Sequence, residues 1–148
     1  MTQRLKLPLG MMLLLMGGMT YLLFRPQTLL MFHVTDALGL SAVINGMRKG
    51  ISSQLPEFII YNLPGALWAA AYILTTEYFL YRQSVKARIL VAGIIPIIGA
   101  VSELLQLTGL LPGTFDVADV LCYLVPYLLY LSIIQKTNKY ESSREIHE

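Results

Sequence analysis

The sequence predicts an all-α integral membrane protein, and its composition and the pattern of its charges carry that prediction. Of the 148 residues, 55% are hydrophobic and 14% are charged, and the mean hydropathy is +0.60. An ordinary soluble domain carries about 25% charged residues, so this chain has too little charge to meet water over its whole surface. Long uncharged runs recur along the chain, with Lys and Arg between them. The composition therefore excludes an ordinary soluble enzyme.

Four runs are long enough to cross a bilayer as helices, which takes about 20 mostly apolar residues. The predicted spans are residues 7–24, 59–81, 89–111 and 115–134. A further apolar stretch, 27–44, is interrupted by polar residues and predicts an interfacial or re-entrant helix, with a fifth span as the alternative. We expect residues 1–134 to form a single polytopic membrane domain and residues 135–148 to form a polar cytoplasmic tail.

The distribution of Lys and Arg predicts the orientation, because cytoplasmic loops retain positive charge. With the N-terminus inside, eight of the 11 basic residues lie in the cytoplasm. Both termini are therefore expected to be cytoplasmic, and Arg25, Arg48 and Lys49 to lie outside. A basic start and an apolar middle also fit a cleaved signal peptide at 1–24. The apolar run continues past its two glycines, however, which favours a retained anchor.

Charge and cysteine content exclude two other classes of protein. Eleven Lys and Arg against 9 Asp and Glu leave a net charge of +2, and no basic stripe marks a nucleic-acid interface. The single Cys122 excludes a disulfide framework, and its apolar surroundings indicate a small buried side chain. The first expected partner is therefore the lipid bilayer.

Glu103 is the clearest polar residue inside a predicted span, where an ionisable group costs roughly 2.5 to 3.5 kcal/mol. It follows Arg88 by about 22 Å along a helix, which places it in the outer third of the membrane. Gly99, Glu103 and Gln106 share one helix face, with room at Gly99 for a neighbour to approach. The structural alternative is a protonated carboxyl in an interhelical hydrogen bond.

Two more carboxylates begin the fourth span on the same outer side. The three-and-four spacing from Asp116 and Asp119 continues through Tyr123, Pro126 and Tyr130, and this stripe is expected to face the third span. Because the joining loop at 111–114 is short, the two spans should be antiparallel neighbours. Asp116 can instead serve as a helix N-cap, and acidic residues are favoured in a first helical turn. The candidate polar site consists of Glu103, Gln106, Asp116, Asp119 and Tyr123.

The chemistry of this site rests on carboxylates. Glu103, Asp116 and Asp119 could hold a divalent cation such as Mg²⁺ or Mn²⁺, and no other cofactor is indicated. Alternatively, one carboxyl could serve as a general acid or base. The sequence contains no Ser/His/Asp set, Cys/His set, phosphate loop or HExxH motif, so no catalytic residue is assigned and the question of an enzyme stays open.

The run Ser102-Glu-Leu-Leu-Gln106, followed by Gly113-Thr-Phe-Asp-Val-Ala-Asp119, resembles the signature of VanZ-like membrane proteins. That signature is a Glu and a Gln on one span, a short loop, and two Asp three apart. Leu63-Pro-Gly-Ala-Leu-Trp68 is also similar to a segment of VanZ-like proteins from Bacteroidetes. The family is named for an accessory protein in glycopeptide (teicoplanin) resistance. The resemblance therefore implies an envelope-related function at the outer face of the bacterial inner membrane.

The chain departs from the family pattern at two positions. Gly113 and Thr114 stand where the family often has an Arg before the first Asp, and Tyr123 stands where it often has an Asn. The resemblance implies that the Arg is either missing or replaced by one of the outer basic residues, which are Arg25, Arg48 and Lys49.

Three functions remain open at this point. The outward-facing cluster could bind or act on an envelope component, such as a lipid-linked or peptidoglycan-related molecule. Alternatively, the chain is a non-enzymatic assembly or binding subunit of a membrane complex, and Ala69, Ala70 and Ala71 would let a partner helix approach closely. The third is ion permeation or transport, which would require a homo-oligomer because four short spans are few.

Overall fold

The computed structural model describes the backbone of residues 2–51 and 55–145, with side chains for all of these except 30 and 137–145. Every regular element in this part of the chain is a helix, which confirms the all-α prediction there. The helices are α1 (Gln3–Phe24), α2 (Leu30–Ala37), α3 (Ser41–Lys49), α4 (Glu57–Tyr61), α5 (Leu63–Phe79), α6 (Val85–Leu107) and α7 (Val117–Glu145).

Three of the described helices are long and apolar enough to cross a membrane, namely α1, α6 and the part of α7 at Val117–Lys136. The predicted span at 59–81 corresponds to α4 and α5, which are separated at Asn62, and α5 alone has 17 residues. Pro64 lies in the first turn of α5, where its missing N–H costs nothing. Three apolar helices support a membrane protein, and the fourth span stays a prediction.

The stretch at 27–44 forms two short helices, so the expectation of one interfacial or re-entrant helix is corrected. Gly39 has a φ of +70° and closes α2, because the N–H of Leu40 then donates to the carbonyl oxygen of Thr35 at 2.9 Å, as in a Schellman motif. The 8 residues of α2 and 9 residues of α3 each measure about 12 to 14 Å. Neither helix can cross a hydrocarbon core of about 30 Å, which argues against the alternative of a fifth span.

The third predicted span also ends four residues early, at Leu107. Gly109 has a φ of +76°, and the N–H of Leu110 donates to the carbonyl oxygen of Leu105 at 3.1 Å, so a second Schellman motif ends α6. The connection to α7 is therefore 108–116, longer than the predicted loop. Even so, α6 and α7 pack as antiparallel neighbours, as expected.

The bundle is organised around α5, which packs against α1, α6 and α7. Ala69 and Ala71 are 0% and 3% exposed. On α1, Gly10 lies against the backbone of Ala71, and Gly17 lies against the indole of Trp68. Close approach at small residues is typical of helix packing in membranes. Ala69 and Ala71 are thus covered by the chain's own helices and offer no surface to a partner protein.

Large apolar side chains cover the outside of the bundle. Leu15 on α1 is 65% exposed, Leu90 on α6 is 72% exposed and Ile133 on α7 is 65% exposed. Soluble proteins rarely expose broad contiguous apolar surfaces, whereas lipid solvates them. The exposed faces of α1, α6 and α7 therefore suit a bilayer.

The helix α7 continues to Glu145, through most of the segment predicted to be a polar tail at 135–148. The side chains of residues 137–148 lie outside the described residues, so the predicted polarity of the tail stays a prediction.

Candidate functional site

Polar side chains gather at both ends of the bundle. The carboxylate cluster lies where α6 ends and α7 begins, and the Glu77 cluster lies where α1 and α6 begin. The carboxylate cluster comprises Arg25, Asn62, Glu103, Gln106, Asp116, Asp119 and Tyr123. The Glu77 cluster comprises Gln3, Lys6, Glu77, Arg88 and Tyr130.

Asn62 joins two of the predicted site residues. It is 5% exposed and lies at the break between α4 and α5. Its side-chain Nδ2 donates to Oδ2 of Asp116 at 2.8 Å and to Oδ1 of Asp119 at 2.9 Å. An amide nitrogen carries two hydrogens, so both are used. Asn62 was not predicted, although a polar residue two positions before the proline of an apolar span is a signal that could have found it.

Asp116 has a second role as the cap of α7. Its Oδ1 accepts from the backbone N–H of Ala118 at 2.8 Å, which is the N-cap arrangement considered from the sequence. The side chain of Asn62 and this backbone N–H both stabilise the charged form. They hold the pKa of Asp116 below its usual value. Asp116 therefore stays charged, and its exposed position leaves it accessible at the surface of the cluster.

Glu103 is the buried carboxylate of the cluster, at 8% exposure. Its Oε1 accepts from Nε2 of Gln106 at 3.0 Å, a bond within α6 that their shared helix face allows. Its Oε2 is buried and has no hydrogen-bond partner in the part of the chain that the structure describes. The charges of Asp116 and Asp119 act on the same group. The backbone N–H of Asp116 also acts on this carboxyl, although it does not reach hydrogen-bond geometry with Oε2. Glu103 therefore combines neighbouring negative charge with a buried oxygen that no described donor bonds.

Tyr123 forms the floor of the cluster between α5 and α6. A Cβ at Gly99 would lie 2.6 Å from its ring, and a Cβ at Gly65 would lie 3.5 Å from it. The neighbour for which Gly99 leaves room is therefore the Tyr123 ring. Only glycine at position 99 lets α7 come this close to α6, which fixes Tyr123 beside the carboxylates.

Arg25 supplies positive charge to the carboxylate cluster. Its charge acts on Asp119, and its guanidinium lies 4.9 Å from the centroid of the Tyr61 ring. The Nε of Arg25 is buried, with no hydrogen-bond partner among the described residues. The guanidinium of Arg48 instead donates to backbone, because its Nη1 bonds the carbonyl oxygens of Leu22 at 2.7 Å and Arg25 at 3.0 Å. Of Arg25, Arg48 and Lys49, Arg25 is thus the one whose charge acts on Asp119.

The described residues contain no group of three or more His, Cys, Asp and Glu side chains placed to hold a metal ion. The amide of Asn62 sits between Asp116 and Asp119, and Glu103 turns one oxygen to Gln106. The divalent cation considered for these carboxylates gains no support from this geometry and stays a prediction.

The Glu77 cluster was not predicted as a site. Oε1 of Glu77 accepts from Nε of Arg88 at 2.8 Å and from the hydroxyl of Tyr130 at 2.7 Å. Oε2 accepts from Nη2 of Arg88 at 2.6 Å and from Nζ of Lys6 at 3.0 Å. The signal that could have predicted it is that Lys6, Glu77 and Arg88, which carry opposite charges, lie at the same end of three predicted spans.

Tyr130 also corrects the predicted stripe on α7. It lies about 21 Å along the helix from Asp116, and it bonds to Glu77 at the opposite end of the bundle. Pro126 and Tyr130 both line a groove between α1 and α7, beside Glu77. The stripe therefore divides between the two clusters, and only Asp116, Asp119 and Tyr123 belong to the carboxylate cluster.

Comparisons with family models, with curated proteins and with solved structures returned no significant match to this chain. The resemblance to VanZ-like proteins accordingly stays a prediction.

Proposed function

We propose that this chain is a small protein of the bacterial inner membrane whose outward-facing carboxylate cluster binds a cell-envelope component, in a role like that of VanZ-like proteins in glycopeptide resistance. The observation that carries the proposal is the buried Oε2 of Glu103, which has no hydrogen-bond partner among the described residues. A buried acceptor without a donor costs about 1 to 3 kcal/mol. A bound ligand that donates a hydrogen bond would remove that cost.

The charge of the cluster defines the ligand's chemistry. Three carboxylates, those of Glu103, Asp116 and Asp119, lie near one cation, Arg25. Ionised carboxylates only accept hydrogen bonds. The complementary group is therefore an amine or a set of hydroxyls, as found on amino sugars, peptide stems and some lipid headgroups. Lipid-linked and peptidoglycan-related molecules carry such groups.

The hydrogen bonds within the carboxylate cluster favour binding over catalysis. Asn62 bonds both aspartates, and Asp116 also caps α7. These bonds fix the carboxylates in place, as a recognition site requires. Within the carboxylate cluster, no described hydrogen bond joins a hydroxyl or thiol nucleophile to a base, so we assign no reaction.

The test compares Glu103→Gln, Asp116→Asn and Asp119→Asn singly for protein level and for susceptibility to teicoplanin. Each change keeps the shape and removes the charge, and Asn at 116 retains an oxygen that can cap α7. Glu57→Gln is the matched control, because Glu57 is an exposed carboxylate at the start of α4. We expect the cluster variants to keep normal abundance and lose the phenotype, while the control keeps both.

Two results would overturn the proposal. Full resistance in all three variants would show that the cluster takes no part in the function. Loss of protein in all three would show that the carboxylates serve the fold alone.

A further inference from the structure

The segment at residues 30–49 holds the short helices α2 and α3 and is tied to the C-terminal end of α1. The tie is Arg48, whose Nη1 donates to the carbonyl oxygens of Leu22 at 2.7 Å and Arg25 at 3.0 Å. The 22 residues of α1 measure about 33 Å, close to a hydrocarbon core of about 30 Å. The end of α1, and the segment with it, is therefore at the level where acyl chains meet headgroups.

The side chains of α3 fall on three faces around the helix axis, at about 100° per residue. One face packs on the protein and holds Ile44, which is 8% exposed, and Arg48. Beside it lies an exposed apolar face with Val43, which is 61% exposed, and Met47, and Leu40 just before the helix extends it. The rest of the surface is exposed and small or polar, and it carries Ala42, Asn45, Gly46 and Lys49.

Helix α2 is divided in the same way. Phe32 is 5% exposed and packs inward. Val34 and Leu38 lie four residues apart, on one side of the helix, and both are exposed, Leu38 at 67%. His33 and Asp36 form a separate exposed polar face. A helix that exposes an apolar face and a polar face is typical of the membrane interface, where one face reaches acyl chains and the other meets water.

The surroundings of the segment favour lipid as the cover of these apolar faces. Helix α3 packs against α1 and α2 against α3. The exposed surface of α1 is itself apolar up to this level, since Met19 is exposed one turn before Leu22. The apolar faces of α2 and α3 therefore adjoin the surface of α1 that suits a bilayer, and neither helix is long enough to cross the core.

We propose that α2 and α3 rest in the interface of the leaflet that meets the C-terminal end of α1, with their exposed apolar faces against acyl chains. The side chains in contact with lipid are Val34, Leu38, Leu40, Val43 and Met47. Because the contact is apolar, a bilayer of phosphatidylcholine, which has no net charge, is sufficient. The inference is independent of the function proposed for the carboxylate cluster, because none of these five side chains belongs to that cluster.

The test attaches nitroxide labels to the full-length protein in phosphatidylcholine vesicles. Single cysteines, in a Cys122→Ser background, replace the exposed residues at positions 40, 42, 43, 46, 47 and 49. Electron paramagnetic resonance measures how often each label collides with oxygen, which concentrates among acyl chains, and with a water-soluble nickel chelate. We expect the ratio of oxygen to nickel collisions to be high at positions 40, 43 and 47 and low at 42, 46 and 49, following the helical period of about 3.6 residues.

Ala42→Cys is the matched control for Val43→Cys, because both positions are exposed on α3 but lie on different faces. Leu38→Cys and His33→Cys repeat the comparison on α2, which keeps the test decisive if a variant of α3 does not fold. Equal ratios at positions 42 and 43, or a higher ratio at 42, would overturn the proposal. So would few collisions with either reagent at positions 43 and 47, because protein rather than lipid would then cover that face.

Discussion

Replacing Glu77 with Gln should destabilise the bundle strongly, because one carboxylate joins α1, α6 and α7 to α5. Its two oxygens accept four hydrogen bonds, from Lys6, Tyr130 and twice from Arg88. A glutamine offers one acceptor oxygen, and its NH₂ group would face donors. The substitution therefore removes hydrogen bonds and takes away the negative charge that Lys6 and Arg88 face.

The expected loss in the free energy of unfolding follows from how deeply Glu77, Lys6 and Arg88 are buried. The side chain of Glu77 is 6% exposed, while those of Lys6 and Arg88 are 16% and 19% exposed. Removing one partner of a buried ion pair costs about 3 to 5 kcal/mol. Because both cations keep some access to solvent, we expect about 3 kcal/mol. That corresponds to a change of roughly 100-fold in the unfolding equilibrium.

The assay is unfolding by SDS in mixed micelles, followed by circular dichroism. Glu57→Gln makes the same chemical change at an exposed carboxylate and should leave the free energy of unfolding nearly unchanged. Combining Glu77→Gln with Lys6→Met should cost less than the sum of the single changes, because the second change removes a stranded cation. A loss below about 1 kcal/mol for Glu77→Gln, or one equal to the control, would refute the reasoning.

Three further predictions concern the other end of the bundle. Gly99→Ala places a methyl 2.6 Å from the Tyr123 ring, so overpacking of about 1 to 3 kcal/mol should outweigh the gain in helix propensity. The control Gly18→Ala meets nothing within 4 Å and should not destabilise the protein. Equal resistance of the two variants to SDS unfolding would contradict the close packing at Gly99. Asn62→Ala leaves Asp116 and Asp119 without their shared hydrogen-bond donor and should lower the free energy of unfolding by about 1 to 3 kcal/mol. An unchanged free energy of unfolding in the same assay would speak against these two hydrogen bonds. The lowered pKa of Asp116 predicts a stability contribution that is fully present above pH 3.8 and lost as the pH falls through the lower folded-state value. The stability difference between wild type and Asp116→Asn should therefore disappear only in strong acid. A difference that disappears near neutral pH would contradict the lowered pKa of Asp116.

Hydropathy was sufficient to predict where the long helices lie. The predicted spans at 7–24 and 115–134 fall within α1 and largely within α7, because a run of about 20 mostly apolar residues has few alternatives to a helix in lipid. The end of α6 was placed four residues late. Its position depends on the left-handed conformation of Gly109, a local event that average hydropathy does not encode.

The candidate site was predicted in part, because sequence spacing orders residues along one helix but does not identify partners on others. The pairing of Glu103 with Gln106 follows from helical spacing and is present. The bridge from Asn62 to α7 depends on how α5 packs, which no local pattern contains. Likewise, Tyr130 continues the stripe of Asp119, but the length of α7 carries it to Glu77 at the other end.

The proposed function requires the carboxylate cluster to lie on the outer side of the membrane, where an envelope component can reach it. The most direct measurement labels Asp116→Cys in intact cells with a membrane-impermeant maleimide, in a Cys122→Ser background, with Lys86→Cys as the control at the opposite end of the bundle. We expect position 116 to be labelled in intact cells and position 86 to be labelled only after lysis. Labelling of position 86 in intact cells, with position 116 protected until lysis, would contradict it.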